Sequence, residues 1–319
     1  MKGHNTFVNR MAFLTFFVYL VGSFAMLSVF SGVLDGVYQI SLLSEICLVA
    51  APVLNCTARN VNVVEKFRIR AFSPVAAVWV VICTLCFYPC MLVANVLSQL
   101  VFETGTQAEV LSGSVLDGSV WAGILFVAVV PAVTEEIVCR GFFYSGYRNN
   151  GFWKASFLSA LLFAGFHLNF NQFIYTFMMG IFLVFMLEAT DSILASMLVH
   201  FTLNAFSVIS VFSSYSQVDS EELEEIVEQG TSVRDILAGQ PLAVNLFMGV
   251  FMVVIVAVSL ILTRLVYKKV LQTTGRGEIV ARLVKGDYEN VPWSEIISPA
   301  LIVALLLMSG YMVLYELAL

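Results

Sequence analysis

Apolar residues run in nine long stretches along the chain, each bounded by polar or charged residues. A helix needs about 20 consecutive apolar residues to cross a hydrocarbon core, so each stretch predicts a membrane-spanning helix. The pattern therefore predicts an all-α polytopic membrane protein that forms a single transmembrane domain over 1–319. The nine predicted spans are 11–34, 37–55, 74–101, 119–148, 152–168, 171–188, 192–213, 242–264 and 295–317.

The amino-acid composition supports a membrane protein. Apolar residues make up 60% of the chain and charged residues 12%, and the mean hydropathy is +0.91. Soluble domains carry roughly 25% charged residues. The first stretch follows Lys2 and Arg10, as in a signal peptide, but its apolar run exceeds the ~7–15 residues of a signal sequence. We therefore expect the first helix to be retained.

The basic residues indicate the orientation of the chain. With nine spans and a cytoplasmic N-terminus, 15 of the 16 Lys and Arg residues fall in cytoplasmic segments, and the C-terminus is external. The remaining Arg234 lies in an external loop with the acidic run 221–228. This asymmetry follows the positive-inside rule. We expect the basic segment 265–294 to lie on the anionic cytoplasmic leaflet, with the lipid bilayer and no nucleic acid as partner. The compact chain with short tails favours a prokaryotic plasma membrane.

Polar patches interrupt the apolar stretches at four places. Ionisable side chains at membrane depth cost a few kcal/mol or more, so each patch is a candidate functional site. The patches are 135–140, with Glu135, Glu136 and Arg140; 163–167, with His167; 169–171, with Asn169 and Asn171; and 200–204, with His200 and Asn204.

Counting residues from the turns predicts that these groups lie at one depth. Asn149, Asn150 and Gly151 suit a tight turn between the fourth and fifth predicted spans. At a rise of ~1.5 Å per residue, Glu135 and His167 both lie on the order of 20–25 Å from this turn. By the same rise, His200 and Asn204 lie roughly 13 and 19 Å into the seventh span. The four side chains can therefore meet in one layer.

Helical phase predicts which partners face each other. Residues four apart share a helix face, so Glu136 can pair with Arg140 while Glu135, rotated by about 100°, faces a cavity. The same spacing places Asn204 one turn after His200, and Phe163 one turn before His167. Two other acidic residues near the ends of predicted spans, Glu45 and Glu188, are expected to be interfacial.

These residue types suit amide hydrolysis without a covalent intermediate. A carboxylate and an imidazole, here Glu135 and His167, can together remove a proton from water. The side chains of His200 and Asn204 can donate hydrogen bonds to a developing oxyanion. Cys139 as a nucleophile is the less favoured alternative, because no histidine is near it in sequence. A purely structural role for the polar groups remains open, whereas a transporter is disfavoured because no paired broken helices are visible.

The three motifs together resemble those of a known family. Glu135-Glu136-x3-Arg140, Phe163-x3-His167 and His200-x3-Asn204 are similar to the motifs of the CPBP family of CAAX proteases and bacteriocin-processing enzymes, also called Abi. The eukaryotic type II CAAX prenyl endopeptidase belongs to this family. The resemblance covers a catalytic core over 119–213, four of the nine predicted helices.

The resemblance implies a glutamate-dependent intramembrane endopeptidase that cuts a peptide or membrane-protein substrate without a cofactor. Glu135 and His167 would activate water, His200 and Asn204 would form the oxyanion hole, and Glu136, Arg140 and Phe163 would support them. A zinc protease, with the metal held by Glu135, His167 and His200, is an alternative. A non-catalytic scaffold or immunity protein of the same family is another. The motifs do not identify the substrate.

Overall fold

The computed structural model describes residues 2–30, 37–102, 119–215, 233–286 and 291–317. Within these ranges the chain forms helices and no β-strand. The acidic run 221–228 lies outside the described residues. We number the helices α1 (Lys2–Phe30), α2 (Val37–Ala58), α3 (Val63–Lys66), α4 (Pro74–Gln99), α5 (Val120–Asn150), α6 (Phe152–Phe166), α7 (Phe170–Thr190), α8 (Ile193–Tyr215), α9 (Val233–Ala238), α10 (Leu242–Thr274), α11 (Gly277–Lys285), α12 (Trp293–Ile296) and α13 (Pro299–Leu317).

The predicted class, an all-α polytopic membrane protein, is confirmed. In the described ranges, eight helices are long and apolar enough to cross a membrane: α1, α2, α4, α5, α7, α8, α10 and α13. The chain is therefore an integral, multi-pass membrane protein. Its treatment as one domain over 1–319 stays a prediction.

The predicted span 152–168 forms the short helix α6, which has 15 residues. At 1.5 Å per residue it is about 22 Å long, less than the ~30 Å of a hydrocarbon core. The helix ends because Leu168 adopts a left-handed backbone with φ 52°. The next helix then begins at once, with the Asn169 side chain as its cap. The described chain thus has eight long helices and one short apolar helix in place of nine full-length spans.

Helix α7 lies at the centre of the bundle and packs against α4, α6 and α8. Its Phe182 stacks on Phe87 of α4, with ring centroids 4.3 Å apart. Helix α10 packs mainly on α4, also contacts α7, and leaves side chains such as Phe247 and Val250 exposed. In a bilayer, lipid covers such an apolar face. The buried core therefore forms around α7, and α10 lies at the periphery.

The predicted hairpin turn joins α5 to α6. Gly151 has φ 97°, a left-handed conformation that glycine adopts without steric cost. Asn150 is buried, and its amide exchanges hydrogen bonds of 2.8 and 2.9 Å with Asn5 of α1. The turn is therefore anchored to the N-terminal helix, which fixes α5 and α6 side by side.

A buried cluster of charges holds together segments that are distant in sequence. Glu188 of α7 is fully buried and accepts hydrogen bonds from Arg68 at 3.0 Å, Tyr144 at 2.9 Å and Arg148 at 3.0 Å. Arg68 also contacts Asp191 at 3.3 Å. Glu188 thus lies near the end of α7, where the sequence analysis placed it, but it is buried among these partners. Its charge is tolerated because several cationic and hydroxyl groups satisfy it.

The cluster brings the predicted cytoplasmic segments to one end of the bundle. Besides Arg68 and Arg148, it includes Arg276, which donates to the Glu188 carbonyl oxygen at 2.7 Å. Arg234, predicted to be external, instead donates to the Leu100 and Val101 carbonyls beyond the C-terminal end of α4. The arginines thus separate between the two ends, as the positive-inside rule requires.

This separation predicts the accessibility of two exposed positions, Gln240 just before α10 and Lys285 at the end of α11. In a background without native cysteines, Gln240→Cys should react with a membrane-impermeant thiol reagent applied to intact cells. Lys285→Cys should react only after permeabilisation. Labelling of Lys285→Cys in intact cells, or of Gln240→Cys only after lysis, would contradict the orientation.

Candidate active site

Glu135 and Glu136 lie in α5, at the end of an α-helical stretch that is flanked by two π-helical segments. The segments Ile124–Val129 and Ile137–Tyr144 are π-helical, and Val130–Glu136 between them is α-helical. A π-helical turn is wider than an α-helical one and often occurs at functional sites. Glu135 and Glu136 therefore sit where the helix widens. The sequence analysis assumed regular α-helical phase and missed both segments.

Glu136 and Arg140 form the predicted ion pair. Arg140 Nη1 lies 2.9 Å from Glu136 Oε1, and both side chains are fully buried. Arg140 Nη2 also donates to the Gly180 carbonyl at 3.1 Å, and its guanidinium lies over the Phe163 ring at 4.3 Å. The arginine therefore ties α5 to α6 and α7.

Gly180 permits this close approach of α7. A Cβ atom at this position would lie 2.8 Å from the Cα of Ala160 in α6. Only a glycine lets the two helices approach closely enough for the Gly180 carbonyl to reach Arg140. No motif pointed to this residue, because its role depends on the packing of α7 on α6.

His200 of α8 lies between the two glutamates. Its Nδ1 lies 3.1 Å from Glu136 Oε1, and its Nε2 lies 3.9 Å from Glu135 Oε2. The expectation that Glu136 turns from the site toward Arg140 is therefore only partly right, because the same oxygen contacts both Arg140 and His200. Glu136 orients the imidazole as well as balancing the arginine.

His167 directly follows the last residue of α6, and the structure indicates its tautomer. Its Nδ1 lies 2.8 Å from the Phe163 carbonyl oxygen. A carbonyl oxygen only accepts hydrogen bonds, so Nδ1 carries the proton and Nε2 has a free lone pair. The Phe163 ring packs edge-to-face on His167, with centroids 5.0 Å apart, and on His200 at 5.8 Å. Phe163 thus supports both rings.

Asn204 lies one turn beyond His200 and contacts the first π-helical segment. Its Nδ2 donates to the Val127 carbonyl at 3.0 Å. A primary amide carries two hydrogens on this nitrogen, so one of them remains for another acceptor. The contact with Val127 fixes the direction in which the second hydrogen points.

The four predicted catalytic residues line one cavity of about 220 Å³. Liquid water occupies about 30 Å³ per molecule, so the cavity has room for several waters or for part of a peptide. The Glu135 side chain is 14% exposed. Its Oε2 is buried and receives no hydrogen bond from an amide, hydroxyl, imidazole or guanidinium group in the described ranges. Other lining residues come from α2, α4 and α7, among them Ser41, Tyr88, Tyr175 and Thr176.

Glu45 of α2 is a neighbour of the site that the sequence analysis placed at the membrane interface. Its Oε2 accepts a hydrogen bond from Thr134 Oγ1, the residue before Glu135. The interfacial assignment is therefore wrong. The sequence did place Glu45 within the second predicted span. It did not show that α2 packs against α5, where Thr134 lies.

The remaining candidates from the sequence lie outside the catalytic arrangement. Asn169 accepts hydrogen bonds from the Asn171 and Gln172 amides at 2.8 and 3.3 Å, so it caps α7. Cys139 is buried, at 1% exposure. Among the described residues, no three His, Cys, Asp or Glu side chains form a group that could hold a metal ion.

One comparison with known proteins matches the part of the chain that holds this site. A bundle of membrane-spanning helices with acidic and imidazole groups around one internal cavity defines the chain as a candidate intramembrane enzyme. Residues 117–206 match the family model for the type II CAAX prenyl endopeptidase, Rce1-like. This segment contains all seven predicted site residues, and over it the chain is similar to the CAAX protease (CPBP) family. The similarity supports a CAAX-type intramembrane protease in general terms and suggests peptide substrates in a membrane environment. No curated protein and no solved structure gave a match.

The buried ion pair predicts that Arg140→Ala lowers the amount of folded protein. Removing one partner of a buried pair costs about 3–5 kcal/mol, because the other charge stays buried without compensation. Thermal unfolding in detergent would measure the loss. Arg282→Ala is the matched control, because Arg282 forms an i,i+4 pair with Glu278 but both side chains are exposed. Equal stability of the two variants would show that Arg140 is not required for folding.

Proposed function

We propose that the chain is an intramembrane endopeptidase that hydrolyses a peptide bond with a water molecule activated by Glu135 and His167. His200 and Asn204 would stabilise the oxyanion. The observation that carries the proposal is that these four side chains, from α5, α6 and α8, line one cavity. The proposed partners are a peptide or membrane-protein substrate and the lipid bilayer, with no nucleic acid, and the proposed location is a prokaryotic plasma membrane.

The proposed reaction begins with proton transfer from water. The ionised carboxylate of Glu135 and the free lone pair on His167 Nε2 can both accept a proton within the cavity, as a general base requires. The hydroxyl oxygen then forms a bond to the carbonyl carbon of the peptide. The proton returns to the leaving nitrogen as the C–N bond breaks, which gives a carboxylic acid and an amine.

Stabilisation of the oxyanion is assigned to α8. The second amide hydrogen of Asn204 is available because the first is bound to Val127. His200 uses Nδ1 in its contact with Glu136, so it can donate from Nε2 only when the ring carries both protons. In that form it would be ion-paired with both glutamates. Such donors stabilise the charge that develops in the transition state more than that of the ground state.

Glu136, Arg140 and Phe163 support the reacting groups without a direct role in the chemistry. Glu136 holds the His200 ring, Arg140 balances Glu136, and Phe163 contacts both histidine rings. The proposed mechanism uses no cofactor. It assigns proton transfer, rather than zinc ligation, to Glu135 and His167.

Glu135→Gln should nearly abolish peptide cleavage while the fold stays intact. Glutamine has the shape of glutamate but does not accept the proton from water, so the loss is chemical. Cleavage by purified protein in liposomes would be compared with that of Glu278→Gln, in which a 91% exposed glutamate is changed in the same way. Both variants should unfold at the temperature of the wild type.

The same assay separates the proposed mechanism from a zinc-dependent one. Cleavage should survive extensive chelation, and elemental analysis should find no stoichiometric metal in active protein. If chelation abolishes cleavage and one zinc per chain restores it, Glu135, His167 and His200 would be reassigned as metal ligands. If the wild type cleaves no peptide, while its melting curve shows it folded, the non-catalytic scaffold becomes the better proposal.

Asn204→Ala should lower kcat by roughly 10²–10³-fold, the usual effect of losing one oxyanion donor. KM should change little, because the hydrogen bond strengthens only in the transition state. Asn245→Ala is the matched control, since Asn245 also donates its Nδ2 to a backbone carbonyl, at 2.8 Å from Leu237, but does not line the cavity. A rise in KM at constant kcat would assign Asn204 to substrate binding instead.

A further inference from the structure

Six charged side chains meet at the predicted cytoplasmic end of the bundle, away from the candidate active site. Four are arginines that come from the segment before α4, the last turn of α5 and the residues after α10. Each arginine lies 3.8 Å or less from one of two carboxylates at the end of α7. Four positive and two negative charges give this arginine cluster a net charge of +2. Its members are Arg68, Arg70, Arg148, Arg276, Glu188 and Asp191.

The two carboxylates do not satisfy all the donors of the four guanidinium groups. Glu188 Oε1 already accepts hydrogen bonds from Arg68, Tyr144 and Arg148. Arg68 Nη2 is nevertheless buried without an acceptor in the described ranges. Arg70 contacts Asp191 Oδ2 through Nη1 at 2.6 Å, although a guanidinium has five N–H groups. The cluster therefore combines an excess of positive charge with unused donors, as an anion-binding site requires.

The cluster lies at the depth of lipid headgroups. Its arginines occupy the ends of long helices or the connections between them, outside the apolar spans. Trp153 and Trp293, at the same end, are 52% and 42% exposed, and tryptophan is enriched where a membrane meets water. Trp153 follows Arg148 by five residues, across the Gly151 turn. An anion beside the cluster would therefore be level with the phosphate groups of the cytoplasmic leaflet.

Two of the arginines are accessible, and the other two lie behind them. The side chains of Arg70 and Arg148 are 53% and 37% exposed, whereas those of Arg276 and Arg68 are 18% and 9% exposed. A guanidinium can donate two parallel hydrogen bonds to a phosphate group. Arg70 and Arg148 can thus contact a ligand directly, and the inner pair adds to the positive charge.

Backbone contacts fix the segment that carries two of these arginines. The Ile193 N–H donates to the Arg68 carbonyl at 3.1 Å, and the Ser192 hydroxyl donates to the Arg70 carbonyl. This segment is therefore tied to the start of α8 before any ligand binds. A site that is already ordered loses less conformational freedom on binding.

We propose that the arginine cluster binds the phosphate group of an anionic phospholipid from the cytoplasmic leaflet, with Arg70 and Arg148 in direct contact. Basic pockets between transmembrane helices on the cytoplasmic side bind such headgroups in other membrane proteins. A lipid with net negative charge is favoured over a zwitterionic one, because the cation of the latter meets the positive charge of the cluster. The proposal does not rest on the proposed function, since binding needs no cleavage.

Native mass spectrometry of the whole protein in a neutral detergent tests the choice of ligand. Phosphatidylglycerol should remain bound at one molecule per chain, at concentrations where phosphatidylcholine with the same acyl chains does not. Inorganic phosphate at the concentration of the lipid should not displace it. Equal binding of the two lipids would show that the acyl chains alone are recognised. Displacement by inorganic phosphate would assign the site to a free anion. Either result overturns the proposal.

Arg70→Gln tests the location of the site. The variant should bind phosphatidylglycerol about fivefold more weakly, the effect expected for one basic residue at an anionic headgroup. Arg282→Gln is the matched control, because it removes the same charge from a 74% exposed side chain at the same end of the protein. An equal loss in the two variants would mean that the attraction is spread over the cytoplasmic face, and the proposed site would be wrong.

Asp191→Asn should strengthen binding, a gain that misfolding does not produce. Asparagine has the shape of aspartate and is among the residues that best tolerate a left-handed backbone, which residue 191 adopts with φ 54°. The change raises the net charge of the cluster from +2 to +3 and removes the carboxylate that competes for Arg70. Phosphatidylglycerol should bind about fivefold more tightly. Unchanged or weaker binding in a folded variant would show that the arginines serve only to hold the helices together.

Discussion

The fully buried ion pair between Glu136 and Arg140 is the interaction on which the site depends. Two charges removed from water are costly, and their mutual attraction repays the cost only when further polar contacts satisfy both groups. Here Gly180 supplies a carbonyl to Arg140, Phe163 supplies the face of its ring, and His200 supplies a ring nitrogen to Glu136. Each of these contacts comes from a different helix. The pair can therefore be buried only in a structure in which α6, α7 and α8 are all in place around α5.

Three of the proposed catalytic groups are held in place by hydrogen bonds within the same set of helices. His200 is held by Glu136, His167 by the Phe163 carbonyl and Asn204 by the Val127 carbonyl. Each of these three groups thus uses one polar atom for positioning and leaves another for the proposed chemistry. Catalysis by preoriented groups is effective because little reorganisation is needed during the reaction. The first π-helical segment of α5 contributes because it contains Val127, whose carbonyl accepts the hydrogen bond from Asn204.

Much of this arrangement could be predicted from the sequence, for a definite physical reason. Lipid enforces long apolar helices, so the spans are visible as stretches, and polar residues within them are rare enough to single out Glu135, His167, His200 and Asn204. The rise per residue then places these groups at one depth. The i,i+4 rule correctly paired Glu136 with Arg140, since both lie on one helix.

What the sequence could not predict depends on which helices are neighbours. Glu188 meets Arg68 and Arg148 through a fold that brings three distant segments together, and no local pattern encodes that meeting. The shortness of α6 depends on the left-handed backbone of Leu168, which non-glycine residues adopt uncommonly. Glu45 belongs to the same class of error, because its partners are on α5 and the packing of α2 on α5 has no sequence signature. Rules for residue spacing thus predicted contacts within one helix, but they did not predict contacts between different helices.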